Sequence, residues 1–355
     1  MYDVAIIGAG LAGITCGRYL QQQGQKVVFL EKSRGLGGRM ATRRLHNTLA
    51  DHGAKFLTIQ GTQTEELVAT LMTSGLITLW EGMKDCYIAP LGMSAIAKNL
   101  AIDLDIRLNH RVEKIMPTEQ GWSLFFDSPE LTPLSQGGRG AAVGEEGSSL
   151  AQASIEAKAL IIAIPAPQAL ALLSPLENLD QNYLAQLAGV EYDACITVMA
   201  GYTPEFQQLL DIQIPPWQAV TFPEDPILAW VGIDSTKRLQ PPQPVVVFHS
   251  TPNFAAQHLE STELNSLGQK LLDHASNHLL PELNSPEWFQ VHRWRYAQPK
   301  TCLNIPCFPA PTTSPLVCCG DWCQENSLDF SRDSFIESAL VSGLAAAQFI
   351  SPLSD

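Results

Sequence analysis

Positive charge is scarce in this 355-residue chain, where 22 Lys and Arg face 36 Asp and Glu for a formal balance of −14 at pH 7. Binding nucleic acid or docking on an anionic membrane needs basic surface, so the balance argues against both. No apolar run approaches the roughly 20 residues that span a bilayer, and no segment repeats at a fixed period, which sets aside solenoids and propellers. The eight cysteines (Cys16, Cys86, Cys195, Cys302, Cys307, Cys318, Cys319 and Cys323) fit no zinc spacing. No His stands at ligand distance beside them, so no metal is expected. Several lie inside apolar runs, where a thiol behaves as a small hydrophobe. A first strand is expected from the third residue, leaving no room for a secretory leader within this numbering. Reduced thiols and a cytoplasmic address are therefore the expectation. Apolar residues make up 45% and charged residues 16%, as in ordinary globular proteins, and the length suggests two domains.

What the chain does have is concentrated at its start. Val4-Ala5-Ile6-Ile7 reads as a strand, followed by Gly8-Ala9-Gly10-Leu11-Ala12-Gly13, a helical pattern to Gly24, a second apolar run Val27–Leu30, and Glu31. Strand, glycine turn, helix, strand and acid form the layout of a dinucleotide-binding βαβ unit. Gly8 permits the tight turn, Gly10 lets the backbone approach a pyrophosphate, and Gly13 lets the helix pack on the strand. The helix amides and dipole then face the phosphates, and Glu31 accepts hydrogen bonds from a ribose diol. Lys32-Ser33-Arg34-Gly35-Leu36-Gly37-Gly38-Arg39 follows, too polar for core and too rich in glycine for helix. It suits either a solvated turn or a loop wrapping phosphate, and its place directly after the acid favours the second.

With this second motif (Gly37, Gly38, Arg39, Thr42) the sequence resembles a large flavoprotein group that includes amine oxidases, protoporphyrinogen oxidases and phytoene desaturases. The resemblance implies non-covalent FAD as the nucleotide, with Lys32, Gly38 and Arg39 beside it. Asp51-His52-Gly53-Ala54-Lys55-Phe56, Tyr87-Ile-Ala-Pro-Leu-Gly-Met-Ser94, and Trp294-Arg-Tyr-Ala297 resemble most closely the renalases within that group. In renalases the first of these turns passes the flavin ring, which implies Gly53, Ala54, Lys55 and Phe56 as contacts. The Val112 position offers backbone groups to the adenine. Near the C-terminus, Leu316-Val317-Cys318-Cys319 reads as a strand ending in Gly320-Asp321, and Asp321 is placed to hold the ribityl chain. Ser334 to Glu337 reads as a capping box opening a final helix, whose first residues, Phe335 and Ile336, face the flavin pyrimidine. The bulk of Phe335 departs from the group's small residues there.

The fold implied is α/β: a Rossmann-type, glutathione-reductase-2-like FAD domain of residues 1–55, 105–178 and 300–355, interleaved with an α+β substrate domain of 56–104 and 179–299. The topology implied is that of p-hydroxybenzoate hydroxylase, and the glycine-rich stretch 127–152 reads as a flexible loop. Renalases oxidise 2- and 6-dihydro isomers of NAD(P) and return the electrons to molecular oxygen as hydrogen peroxide. Hydride transfer asks for flat walls and correct placement more than for acids and bases. His249, Trp294 and Tyr296 are the candidate catalytic residues, with Arg295 toward a substrate phosphate. Two rivals stand beside this reading. One is an amine oxidase, with Lys300 in place of a flavin-side lysine. The other is a flavin-bearing redox sensor responding through Cys318, Cys319 and Cys323.

Overall fold

The computed structural model describes residues 1–127, 153–213, 217–324 and 335–351. The chain begins with β1 (Tyr2–Ile7), α1 (Leu11–Gln22) and β2 (Val27–Glu31), then the hairpin β3 (Thr42–Leu45) and β4 (Thr48–Asp51). Next come α2 (Thr62–Thr73), the short pair β5 (Thr78–Leu79) and β6 (Tyr87–Ile88), and α3 (Ser94–Leu100). β7 (Asp105–Leu108), β8 (Arg111–Thr118), β9 (Gly121–Asp127), β10 (Ala153–Ile162), α4 (Ala166–Leu173) and α5 (Gln181–Ala188) follow. A second group is β11 (Tyr192–Gly201), α6 (Pro204–Asp211), β12 (Ala219–Thr221), β13 (Leu228–Ile233), β14 (Val245–Ser250), α7 (Pro252–Gln257), α8 (Leu264–His278) and β15 (Trp288–Pro299). The chain closes with β16 (Phe308–Pro309), β17 (Leu316–Cys318) and α9 (Phe335–Ile350).

Among the described residues one sheet runs β16-β17-β10-β1-β2-β7, with the β8–β9 hairpin joined through β9 to the start of β10. Strands β17, β10, β1, β2 and β7 are parallel. Their apolar runs are continuous because both faces are covered. Val4, Ile6 and Phe29 pack on Cys16 and Leu20 of α1 and Ala346 and Ala347 of α9. Ala5, Ile7 and Val28 pack with Ala169 and Leu173 of α4 and Leu187 of α5. A Cβ at Gly343 would overlap the Ala12 backbone, so α9 sits directly against α1 only because that position is glycine.

The second sheet is antiparallel, in the order β12-β13-β14-β11-β15. Strand alternation sends Ile196, Val198, Val246 and Phe248 toward Phe206 of α6 and Leu267, Leu271 and Ala275 of α8. The opposite face carries Met199, Val245 and Val247, which pack on Ala50 and Trp80, and farther along it His249, His292 and Trp294. No helix among the described residues is long and apolar enough to cross a membrane. All eight cysteines are free thiols.

From sequence, Ile77 to Glu81 reads as a strand; in the structure it shrinks to Thr78–Leu79, because the Trp80 amide turns to the Cys86 carbonyl and Gly82 carries the turn at φ 81°. β10 starts at Ala153, where Ile155 and Ala157 point inward while Glu156 and Lys158 point out, and residues 128–152 of the expected loop lie outside the described residues. Ser334, and with it the expected capping box, lies outside the described residues. Glu337 reaches across to α2. Its carboxylate accepts the Gln63 amide at 3.0 Å and the Thr64 amide at 2.6 Å, capping α2 from 273 residues away. The carboxylate is buried and its negative charge suits the dipole end it meets.

Replacing Glu337 by Ala leaves the buried Thr64 amide and the part-buried Gln63 amide without these acceptors and should cost about 1–3 kcal/mol of stability. Glu337→Gln, which keeps one acceptor, should recover part of the loss in denaturant unfolding. Equal stabilities for wild type and the Ala variant would remove this cap from the account.

Candidate active site

Four strand ends of the parallel sheet open on one side. Gly8 follows β1, Glu31 ends β2, Ala163-Ile164-Pro165 follows β10, and Gly320-Asp321-Trp322 follows β17. This carboxyl edge and the inner face of the second sheet enclose a cavity of about 1230 Å³. That exceeds the roughly 300–1,000 Å³ of a pocket for one drug-sized ligand, and leaves room for a dinucleotide and a second molecule.

The turn after β1 is built to receive an anion. Gly8 has φ 101°, and a Cβ there would meet the Ala163 carbonyl oxygen at 2.6 Å. A Cβ at Gly13 would overlap the Gly8 carbonyl, so helix and strand touch there. At Gly10 nothing lies within 4 Å of the Cβ position, so the backbone is open to a ligand. α1 has no side-chain cap and no acid in its first turn, which leaves its leading amides for an outside phosphate. Glu31 accepts the Ala9 amide at 2.9 Å and the Ser33 amide at 2.8 Å, tying the turn to the loop beyond β2. These residues fit the adenine-nucleotide half of a flavin dinucleotide.

The two ends of the chain meet across the cavity. Arg39 donates to both oxygens of Asp321 at 2.6 and 2.7 Å and to the Ala297 carbonyl at 3.2 Å. Burial opposes the guanidinium charge, but the attraction of Asp321 outweighs it and holds the proton more tightly than usual. The Gly320 amide bonds Ser342 Oγ at 3.0 Å, which fixes the turn to α9.

The turn over residues 51–56 is held from beneath by a buried quartet of two acids and two bases. Lys237 Nζ bonds Asp234 at 2.7 Å and lies 3.6 Å from Asp51. Arg238 bonds Asp51 at 2.7 Å and Asp234 at 2.6 Å. Asp51 also accepts from Thr42 Oγ1 and the Met93 amide, and Lys237 donates to the Lys55 carbonyl. Burial opposes the Asp51 charge, yet Lys237 and Arg238 bring its pKa below the usual carboxylate value. Gly53 presses on the Arg39 carbonyl where no side chain would fit.

Above this turn stands a wall of rings. His52 stacks on Trp294 with centroids 5.4 Å apart, His292 meets Trp294 at 4.3 Å, and Trp294 Nε1 donates to the His52 carbonyl at 2.8 Å. His249 lies against Trp230 at 5.2 Å. Nδ1 of His52 and Nε2 of His249 are buried without a hydrogen-bond partner among the described residues. Burial, followed by neighbouring His292 and Arg43, brings His52 down to about 3, and burial with Arg43 brings His292 to about 4. Burial, then Lys55 and Lys237, carries His249 well below the ordinary histidine value.

The cavity gathers most of the residues singled out from sequence. Gly8, Gly10, Leu11, Ala12, Glu31, Lys32, Gly38, Arg39, Gly53, Ala54, Lys55 and Phe56 line it. So do His249, Trp294, Tyr296, Gly320, Asp321, Phe335 and Ile336. Ala9, Gly13 and Val112 are not in the lining; Val112 is buried in the β8–β9 hairpin opposite Phe126. Lys300 is not there either, being exposed and paired with Glu191 at 3.0 Å. Arg295 lines the mouth, but both terminal nitrogens bond Glu260. The reading from sequence missed His52, His292 and the quartet. His292 had a signal, standing two residues before Trp294 on the same strand face.

The two wall histidines make stability depend on pH. An unfolded imidazole takes its proton near 6.5, while folded His292 and His52 wait until about 4 and about 3. Between these values the unfolded chain holds the extra protons, so stability is lost as pH falls through 6.5 toward 4 and is unaffected above. The slope is at most about 1.4 kcal/mol per pH unit for each histidine. Denaturant unfolding of His292→Gln should show a flatter dependence over this window, and an unchanged slope would contradict the assignment.

Residues 6–71 match an NAD(P)-binding Rossmann-like domain, and residues 69–351 match the flavin containing amine oxidoreductase family. A curated relative, Protein anon-37Cs of Drosophila melanogaster, is 35% identical over 75 residues, which are 21% of this chain and 15% of that protein. The structure overlays a putrescine oxidase with a TM-score of 0.69 at 13% identity, covering 98% of both chains. It overlays cyclohexylamine oxidase from Brevibacterium oxydans IH-35A with a TM-score of 0.67 at 14% identity, covering 99% of both. The family match extends over most of the chain and takes in the antiparallel sheet as well as the final helix: this protein belongs to the flavin-containing amine oxidoreductase family, with FAD as its cofactor.

Proposed function

We propose that this chain is an oxidase of renalase type, acting on 2- and 6-dihydro isomers of NAD(P) with molecular oxygen as acceptor. The observation that carries the reading is the charge inside the cavity. Among the described residues nine Lys and Arg line it: Lys32, Arg34, Arg39, Arg43, Arg44, Lys55, Lys98, Arg293 and Arg295. Among the same residues the acids in the lining are Glu31, Asp193 and Asp321. Arg34, Arg43 and Arg44 make no ion pair among the described residues, and burial together with Arg34 lowers the Arg43 pKa. In a chain this acidic, such a concentration favours an anionic visitor and repels a cationic amine. FAD brings one pyrophosphate, and a nicotinamide dinucleotide brings another.

Bound flavin supplies the hydride acceptor and the route to oxygen. The chain supplies the walls. Trp294 and the rings of His52, His292 and Tyr296 offer flat faces for a planar substrate ring and exclude water from it. His249 and His52 are neutral at pH 7 and have an unpartnered nitrogen each, which suits them to an uncharged carboxamide. The division into an FAD domain of 1–55, 105–178 and 300–355 and a substrate domain of 56–104 and 179–299, with the topology of p-hydroxybenzoate hydroxylase, belongs to the same reading.

An amine oxidase is the second reading, supported by the family and by the folds of the putrescine and cyclohexylamine oxidases. Lys300 on the surface lends it no lysine. A thiol sensor finds little support, since burial raises Cys318 to about 12 and Cys319 and Cys323 well above the usual thiol value, leaving no thiolate to react.

Anaerobic mixing of the FAD-loaded protein with each dihydro isomer, with NADH and with a panel of primary and cyclic amines separates these readings. The isomers should bleach the visible flavin band fastest, and faster bleaching by an amine would reverse the assignment. Replacing Arg43 by Gln should raise KM for the isomers by about tenfold or more, as expected for one lost charge-assisted contact. An unaltered KM would take Arg43 out of the substrate site.

A further inference from the structure

On the far side of the second sheet, away from the cavity, α8 presents His274 and His278 one turn apart. Asp225, in the connection between β12 and β13, reaches up to both. Its Oδ2 is 2.7 Å from His274 Nε2 and 3.8 Å from His278 Nε2. The three ligand atoms lie within 4.8 Å of one another, and none of the three residues lines the flavin cavity.

We infer that these residues form a binding site for a divalent transition-metal ion of the zinc type. The chemistry of the set is two imidazoles and one carboxylate, the donors that zinc, copper and nickel prefer over magnesium or calcium. The geometry is close to what a tetrahedral ion requires. Ligands at about 2.0–2.2 Å from zinc stand roughly 3.3 Å from each other, and the two distances to Asp225 fall on either side of that value. Ring shifts on the order of an ångström bring the three ligand atoms, now within 4.8 Å of one another, to that spacing, and the exposed side of His278 leaves the fourth position to water.

Asp225 is also held in place independently of any ion. Its Oδ1 accepts the Ile227 amide at 2.8 Å and the Leu228 amide at 2.7 Å, which leaves Oδ2 turned toward the helix. One carboxylate oxygen thus fixes the loop, and the other, hydrogen-bonded to His274 Nε2 in this ion-free structure, faces both rings. The two imidazole rings face one another with centroids 4.6 Å apart, and Phe222 borders His278 on its outer side. A bound ion would link the β12–β13 connection to the helix that covers this sheet.

Tag-free, FAD-loaded protein, stripped with chelator and dialysed, is titrated with Zn²⁺ by calorimetry and with Co²⁺ by visible absorption. One ion per chain should bind, with Co²⁺ giving the intense bands of a tetrahedral site. Loss of a supporting partner alone weakens metal sites roughly 10–100-fold, so His278→Ala should lose about a hundredfold in affinity. Asp225→Asn retains an Oδ1 acceptor for the two amides and should also weaken binding, while the metal-free melting temperature stays near wild type. Flavin reduction rates should be unchanged in both variants. Absence of saturable binding up to about 1 mM Zn²⁺ (a binding free energy near −4 kcal/mol) would overturn the site. So would affinity that neither substitution alters.

Discussion

The cavity depends on a buried charge quartet that must be complete to be tolerable. Asp51, Asp234, Lys237 and Arg238 sum to zero, and each is shielded from water. Taking such groups out of solvent is costly, and removing any one would strand an opposite charge at a cost of about 3–5 kcal/mol. Such clusters are poor sources of net stability, so their value lies in position. This one joins the end of β4 to the turn after β13, and adds the Ala89 and Lys55 carbonyls and the Met93 amide. Three chain segments are thereby fixed to one another beneath the turn from His52 to Phe56, which walls the cavity.

The Arg39–Asp321 pair does the corresponding work at the other wall. A bidentate guanidinium–carboxylate contact fixes both distance and plane. It closes the carboxyl edge of the parallel sheet with residues 282 positions apart. Glu337 capping α2 is a third long-range polar contact of this kind. Together they make the site a product of the whole chain, although the glycine turn, the acid and the first helix lie within the first 31 residues.

That contrast explains what could be read from sequence. The βαβ unit is local: the reasons for Gly8, Gly10 and Gly13 are satisfied within one turn and one helix, so spacing alone reveals them. The polar contacts were not legible in that way. Asp51 read only as the first letter of a turn motif, because nothing near it in sequence announces Lys237 or Arg238. Glu337 fits a local cap so well by spacing that its partner in α2 could emerge only from packing. Lys300 stood where a flavin-side lysine was conceivable, yet the turn after β15 carries it outward to Glu191. The pairing of Asp225 with His274 and His278 follows the same rule, since the packing of α8 on the second sheet sets it and no motif does.

Fold and chemistry part company at the substrate. A Rossmann-type flavin domain with an antiparallel sheet above it serves many reactions, so likeness to amine oxidases fixes the architecture and the cofactor but not what is oxidised. The discriminating features are those the shared fold does not demand. Arg34, Arg43 and Arg44 add positive charge that no ion pair among the described residues neutralises, in a chain otherwise depleted of it. After burial, Arg43 helps keep His52 and His292 neutral, because a protonated ring beside it would be a like charge in a dry wall. A neutral aromatic wall bordered by cations suits a flat, uncharged ring attached to phosphates, and it is a poor fit to an ammonium group. The electrostatics and the rings therefore favour the same substrate, and they do so through different residues.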